Sequence, residues 1–466
     1  MKRLFIILIL VAGLCWHPTI PTTATADSHT PGNGYIVKLG ADKGEIRASA
    51  KRIGRAVGNR ENLRLVKNEV ELEELEAIAQ IEYIEENLEV SLFDAPAITP
   101  EQWHLGLIRV ERAWALGCFG NEVRIGVIDS GVSNHAALKG TVLTGYNYIN
   151  DNANTEDRIG HGTFVSGLIT AKTGGAAFGA KIVPLKCFDQ GQTTYLDTIV
   201  VAIYDAIDLY DCSVINMSFG LAADSRTLSD AVTYATNAGA VLVAAVGNDG
   251  TQKMYYPAGY NNVIGVGSVD AGKRLSSFSQ FNTSVFVTAP GEGISGLALN
   301  GGYRIDGGTS YATPLVSALV AIARCVDLEI DTETAKQLLR DTSEDLGTPG
   351  YDVEYGYGLV DAERLMNKLL EGTDVFVSPP TLNASGEANV TVYNNSDEAV
   401  TCTSVFAAFA NGVMVDAQQL VPLSLSPHET VLIPYAVPVN SNLIRHFLWQ
   451  STSSMNPLTP ARDLVV

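Results

Sequence analysis

Arg124-Ile125-Gly126-Val127-Ile128-Asp129-Ser130-Gly131 is an apolar run that ends in an acid and a tight turn. A strand with apolar residues at successive positions has both faces buried, as strands of a parallel sheet do. Runs of the same kind recur at Ile182 to Leu185, Val214 to Met217, Val241 to Val246 and Val263 to Val266. Stretches with helical periodicity lie between them, at Gly162 to Ala171, Leu196 to Leu209 and Leu228 to Ala238. This alternation predicts an α/β unit over residues 94–370, built on a parallel sheet with helices on both faces. In such sheets the chemistry gathers at the carboxyl ends of the strands.

The flanks read differently. Upstream, Tyr35 to Leu39 is strand-like, Val70 to Ala79 is a charged helical stretch, and Ile81 to Glu86 alternates apolar and acidic residues. A small α+β unit within 27–93 fits this pattern, followed by an exposed linker, Asp94 to Pro100, marked by Pro96 and Pro100. Downstream, 374–466 has no helical periodicity. Ala388 to Tyr393 and Thr430 to Tyr435 read as strands, and Asn394 to Asp397 and Asn411-Gly412 as turns, which predicts an antiparallel β-sandwich. At the start, Met1-Lys2-Arg3 is basic, Leu4 to Trp16 is apolar, and Ala24-Thr25-Ala26 offers a small-x-small cleavage site. The apolar run is too short to span a bilayer comfortably, so residues 1–26 read as a cleaved secretory signal and the protein as secreted or surface-associated. No later apolar stretch reads as a membrane span in the mature form.

Composition bounds the rest. Hydrophobic residues make up 46% and charged residues 18% of the 466, which excludes a disordered chain or a coiled coil. Asp plus Glu number 51 against 31 Lys plus Arg, a net charge of −20 that repels phosphate backbones and argues against nucleic acid as a partner. Beyond the signal, Cys118, Cys187, Cys212, Cys325 and Cys402 are widely spaced, and no C-x-x-C pair occurs. They read as buried small hydrophobes rather than a disulfide framework or a zinc site.

Four stretches carry chemistry. Asp129 stands at a strand end, a place that also serves nucleotide and metal sites. Gly160-His161-Gly162-Thr163 sets a histidine at the start of an apolar helix, where it serves as a cap or faces a cleft. Val246-Gly247-Asn248-Asp249 is a turn, or else aims an amide at a developing oxyanion. Gly307-Gly308-Thr309-Ser310-Tyr311-Ala312-Thr313-Pro314 opens a helix predicted from Leu315 to Cys325. Ser310 there is either a cap or a nucleophile beside helix-start N–H groups. Each stretch alone is ambiguous; the four in the order Asp, His, Asn, Ser are not.

Together these motifs resemble the subtilisin-like serine proteases over most of residues 34 to 370: VIDSGV at Asp129, GHGTFVSG at His161, AAVGN at Asn248, GGTSYATP at Ser310, and INMSFG at Ile215 to Gly220. The resemblance implies a serine endopeptidase that needs no cofactor and acts on proteins or peptides. Ser310 is then the nucleophile, His161 the general base and acid, Asp129 the group that orients it, and Asn248 an oxyanion donor with the Ser310 N–H. Ser218, Phe219 and Gly220 resemble the strand edge that pairs with substrate backbone, and Tyr255 falls where the family commonly has a small residue flooring the specificity pocket. Residues 27–93 resemble the family's propeptide, an intramolecular inhibitor whose last residues, Val90 to Phe93, would fill the groove before a cut near Phe93-Asp94. A large Phe93 conflicts with a pocket narrowed by Tyr255, which moves the expected cut as far as Gln102. The sandwich resembles modules appended to some secreted bacterial proteins.

Other departures from the family pattern bear on metal and packing. After the His161 helix, Lys172-Thr173-Gly174-Gly175 is short, brings a cation and offers no carboxylate for the structural calcium common in the family. No metal ligands are assigned. Tyr311 and Leu315 replace a common Met and His and read as packing changes. The alternatives to a broad endopeptidase are a processing protease for one peptide leader and a non-catalytic binding protein descended from a protease.

Overall fold

The structure, a computed structural model, describes residues 35–39, 53–57, 60–86, 100–190, 193–383, 386–438, 440–449, 458–459 and 461–465. The signal at 1–26, the groove segment Val90 to Phe93 and most of the Asp94 to Pro100 linker lie outside the described residues. The chain divides into two compact units, Met1–Phe93 and Asp94–Val466.

The first unit holds β1 (Tyr35–Leu39), β2 (Arg55–Val57), β3 (Arg60–Val66), α1 (Glu69–Glu76) and β4 (Ile81–Glu86). The strands form an antiparallel sheet in the order β2-β3-β1-β4. Asn68 caps α1 by accepting from the Glu71 N–H, and the Glu71 carboxylate accepts from the Lys67 N–H, so the helix start is fixed by local polar pairing. Leu75 of α1 packs on Val37, Leu39 and Val66 to make a small apolar core.

The second unit opens with α2 (Trp103–Leu107) and α3 (Glu111–Ala115). A run of strands and helices follows: β5 (Arg124–Asp129), β6 (Tyr146–Asn147), α4 (His161–Thr170), β7 (Lys181–Lys186), α5 (Leu196–Asp208), β8 (Val214–Met217), α6 (Arg226–Asn237), β9 (Val241–Ala245), β10 (Ile264–Val269) and β11 (Val287–Pro290). These seven strands form one parallel sheet, ordered β11-β10-β9-β8-β5-β7-β6. The pleat divides the apolar runs between two cores. Ile125, Val127, Val214 and Val243 point to the side that holds Phe164 and Leu168 of α4. Ile128, Leu185, Ile215 and Leu242 point to the side that holds Ile203 of α5 and Val232 of α6. The winding direction reverses between β5 and β8, and the crevice beyond their carboxyl ends is where such sheets bind ligands.

A hairpin of β12 (Ile294–Leu297) and β13 (Tyr303–Asp306) leads into α7 (Thr309–Val326), then α8 (Thr332–Thr342) and α9 (Ala362–Leu369). The sequence starts α7 at Leu315; it starts six residues earlier, and Pro314 lies inside it. At that length α7 is long and apolar enough to cross a membrane, yet 89% of the stretch is buried, and it is the core helix of the unit. The five cysteines from Cys118 to Cys402 are buried and unbridged.

The C-terminal region is β14 (Val375–Val377), β15 (Thr381–Leu382), β16 (Glu387–Asn394), β17 (Val400–Ala410), β18 (Val413–Leu425), β19 (Thr430–Ala436), β20 (Leu443–Trp449) and β21 (Arg462–Val465). One antiparallel sheet gathers β14, β15 and β19 around β16, and the other runs β18-β17-β20-β21. Val390 and Tyr435 from the first sheet meet Phe406 and Leu448 from the second in a shared core. Asn411-Gly412 closes the β17–β18 hairpin with φ of 51° and 80°, the two positive values that a tight two-residue hairpin turn demands. The sandwich also joins the α/β core: Phe376 and Tyr393 belong to the cluster that contains Trp114, and the Arg112 guanidinium lies 4.8 Å above the Tyr393 ring.

Candidate active site

Asp129 ends β5 at 4% exposure, and its carboxylate receives the His161 Nδ1–H at 2.8 and 2.9 Å and the Ser130 N–H at 2.7 Å. His161 is the first residue of α4, reached through Gly160 at φ 90°. A Cβ on Gly162 would fall 2.3 Å from Gly131 O and 3.1 Å from Asp129 Oδ1, so only glycine lets the helix start approach the acid this closely.

Beneath this pair lies a second buried acid that the sequence reading missed. Asp157 Oδ1 accepts from Ser130 Oγ, Ile159 N and Gly160 N at 2.8–2.9 Å, and Oδ2 from Thr163 N and Oγ1 at 2.9 and 2.7 Å. The Ser130 hydroxyl in turn accepts the Gly162 N–H at 2.9 Å. Lys186, 2% exposed, donates to Ser130 O at 2.6 Å and Glu156 O at 3.1 Å, so a buried cation pins the Asp129 turn to the loop before His161. Burial disfavours the charged imidazole, but the Asp129 charge and hydrogen bond, with Asp157 behind, outweigh it and hold His161 above the ordinary histidine range.

Ser310 is the second residue of α7. Pro314 has no N–H to give the Ser310 carbonyl, and the Ser218 hydroxyl supplies the missing donor at 2.9 Å. The Ser310 hydroxyl donates back to Ser218 O at 2.9 Å, so donating to the imidazole requires the hydroxyl to give up this bond. The Tyr311 ring, next in sequence, stands 5.5 Å from the His161 ring. Asn248 Oδ1 accepts from Thr309 N and Oγ1, both at 2.8 Å, which turns its Nδ2 the other way. A Cβ on Gly308 would lie 3.3 Å from Asn248 Nδ2 and 3.8 Å from Ser310 N, so both donors border the space that this glycine leaves empty.

This chain matches the subtilase family, Peptidase_S8, over residues 120–358, just over half its length. It belongs to that family. As a subtilase it is a serine protease by class, a hydrolase acting on peptide bonds. It is 37% identical over 266 residues to the minor extracellular protease Epr of Bacillus subtilis, covering 56% of this chain but only 41% of Epr. It is 32% identical over 299 residues to a thermostable alkaline protease of Halalkalibacterium halodurans, covering 63% of this chain and 80% of that one. A solved cold-adapted subtilisin-like serine proteinase superposes with a TM-score of 0.51 at 27% identity, over 55% of this chain and 97% of the other.

The remaining expected residues border the same crevice. In this subtilase Ser218 to Gly220 continue from the end of β8, and among the described residues the main-chain groups of Phe219 and Gly220 make no hydrogen bond, which leaves a short open edge. Phe219 packs on Phe188 at 5.5 Å and Ser218 is buried. Beyond the edge, Leu221 pairs with Tyr256 through N–H···O bonds of 2.7 and 2.9 Å. Tyr255 lies between Gly220 and Gly247: Cβ atoms there would meet its side chain at 3.1 and 2.8 Å. Its hydroxyl donates to Asp249 Oδ2 at 2.7 Å, and Lys253 Nζ donates to that hydroxyl at 3.0 Å. A cavity of about 290 Å³ among Gln102, Leu168, Gly174, Leu297 and Tyr303 lies further along α4 and includes none of the site residues.

Proposed function

We propose that this subtilase is a secreted serine endopeptidase, made as a precursor that cuts itself, with Ser310, His161 and Asp129 as its triad. The observation that supports the reading is that Asn248 Nδ2 and Ser310 N both lie close to the side of Gly308 that carries no side chain, next to the nucleophile, with the Asn248 oxygen held by Thr309. A peptide laid along Ser218 to Gly220 adds a strand to the open edge and brings its carbonyl over Ser310. Ser310 Oγ attacks the carbonyl carbon while His161 Nε2 takes the hydroxyl proton, and Asp129 stabilises the imidazolium. The oxyanion is held by Asn248 Nδ2 and Ser310 N until His161 returns the proton to the departing amine. Water then repeats the sequence on the acyl-enzyme. The chemistry routes no step through a metal, and Lys172 to Gly175 bring no carboxylate with which to hold calcium.

Tyr255 narrows the reading toward substrates with small residues before the cut, because its ring fills the gap between Gly220 and Gly247. The basic and apolar start of the chain supports secretion. Residues 27–93 act as the intramolecular inhibitor, and the cut falls between Phe93 and Gln102.

One preparation tests the scheme. A fluorophosphonate should label Ser310 and abolish peptidase activity, and Ser310→Ala should accumulate as a precursor by mass and N-terminal sequence. Cleavage profiling should show small residues before the cut, widening to large ones in Tyr255→Gly. Maturation of purified Ser310→Ala would remove self-processing and leave the cut to an outside protease, and a label elsewhere with Ser310 unmodified would remove the triad assignment.

A further inference from the structure

The sequence treats Tyr311 as packing, but its hydroxyl has polar partners. It donates to Asp306 Oδ2 at 3.0 Å and lies 3.4 Å from Arg304 Nη2. Arg304 of β13 is itself clamped: Nη1 meets Asp306 Oδ2 at 2.9 Å, Nη2 donates to Gly160 O at 3.4 Å, and the guanidinium lies 5.1 Å above the Phe164 ring. Gly160 immediately precedes His161, and Tyr311 immediately follows Ser310. One planar fork therefore reaches the starts of both helices that carry the chemistry, a span that a flexible ammonium does not reproduce.

We infer that Arg304 is a positioning residue, which ties the start of the general base's helix to the residue after the nucleophile and sets a fixed positive charge near the imidazole that opposes the two acids. The inference rests on the triad reading above. The charged groups that surround His161 are Asp129 at the end of β5, Asp157 in the loop before α4, Arg304 and Asp306 on β13, and Lys186 of β7 behind Ser130; Tyr311 of α7 is the titratable ring beside it. Burial and Arg304 both work against the charged imidazole, whereas Asp129 and Asp157 favour it. Two acids unopposed would leave His161 protonated over more of the working pH range and unable to accept the Ser310 proton.

The test uses the mature enzyme, a small chromogenic ester with no residue beyond the cut, and active-site titration to count competent molecules. In Arg304→Met the acid limb of kcat/KM against pH should move up by about half a unit at low salt, the scale of one partly solvated neighbouring charge, and the shift should shrink in concentrated salt. Arg304→Lys should keep the wild-type limb but lose kcat several-fold, because it retains the charge and loses the fork. If Arg304→Met does not fold, Arg304→Gln makes the same charge comparison with donors retained. An unmoved limb in the neutral variant, or a Lys variant that behaves like it, overturns the inference. An enzyme that Ser310 reagents fail to label would instead overturn the triad reading.

Discussion

Thr309 presents two donors to the Asn248 carboxamide oxygen, and an amide held by its oxygen has only its N–H groups left to offer the cleft. Asn248→Ala should then lower kcat by roughly 10²–10³ with KM little changed, as loss of an oxyanion donor does. Steady-state kinetics on a short peptide checks this, and a change mainly in KM would make Asn248 a substrate-positioning group. Thr309 shows where sequence reading stops. Asp129, His161, Asn248 and Ser310 stand in motifs whose residue order is distinctive, and they are legible from the chain alone. The roles of Thr309, Asp157, Lys186 and Arg304 depend on what lies across the fold from them. An aspartate four residues before a histidine carries no mark in the sequence that it will be buried with every oxygen taken.

At the scale of the element, α7 is the informative case. Proline disfavours a helix interior, so the sequence delays the helix to Leu315; the fold instead runs it through Pro314 and replaces the lost bond with the Ser218 hydroxyl. Ser218→Ala leaves the Ser310 carbonyl without that donor and should destabilise the fold by about 1–2 kcal/mol. Adding Pro314→Ala returns a helical N–H and should recover part of that loss. A double-mutant cycle in urea, in a Ser310→Ala background to prevent autolysis, measures the coupling, and additive effects would show that the two sites do not share this carbonyl. The parallel strands β5 and β7 to β10 are legible because both their faces are apolar. β6 and β11 are not, since β6 has two residues and β11 ends at Pro290, too little pattern for a period to register.

Across the molecule, two buried histidines outside the triad should lower its stability in acid. His104 in the α/β part and His446 in the sandwich are buried with Nδ1 unpartnered, and burial lowers them to about 4 and about 3. The unfolded chain, near 6.5, binds more protons than the folded one below that pH, so stability falls as pH drops from about 6.5 toward the folded values. Between pH 7 and 5 each should cost about 2 kcal/mol, read from urea unfolding in the Ser310→Ala background. His104→Gln with His446→Gln should flatten the slope, and an unchanged slope would exonerate both. The seam between the two parts has a separate consequence. A Cβ on Gly117 would strike Thr391 Oγ1 at 2.7 Å and Ser378 Oγ at 2.9 Å, while Arg462 of the last strand donates to Val326 O at the end of α7 at 3.1 Å. The sandwich is thus no interchangeable cartridge. A lineage that traded it for another module would have to rewrite the seam on both sides at once, so the protease and its appendage are bound to be inherited as a single part.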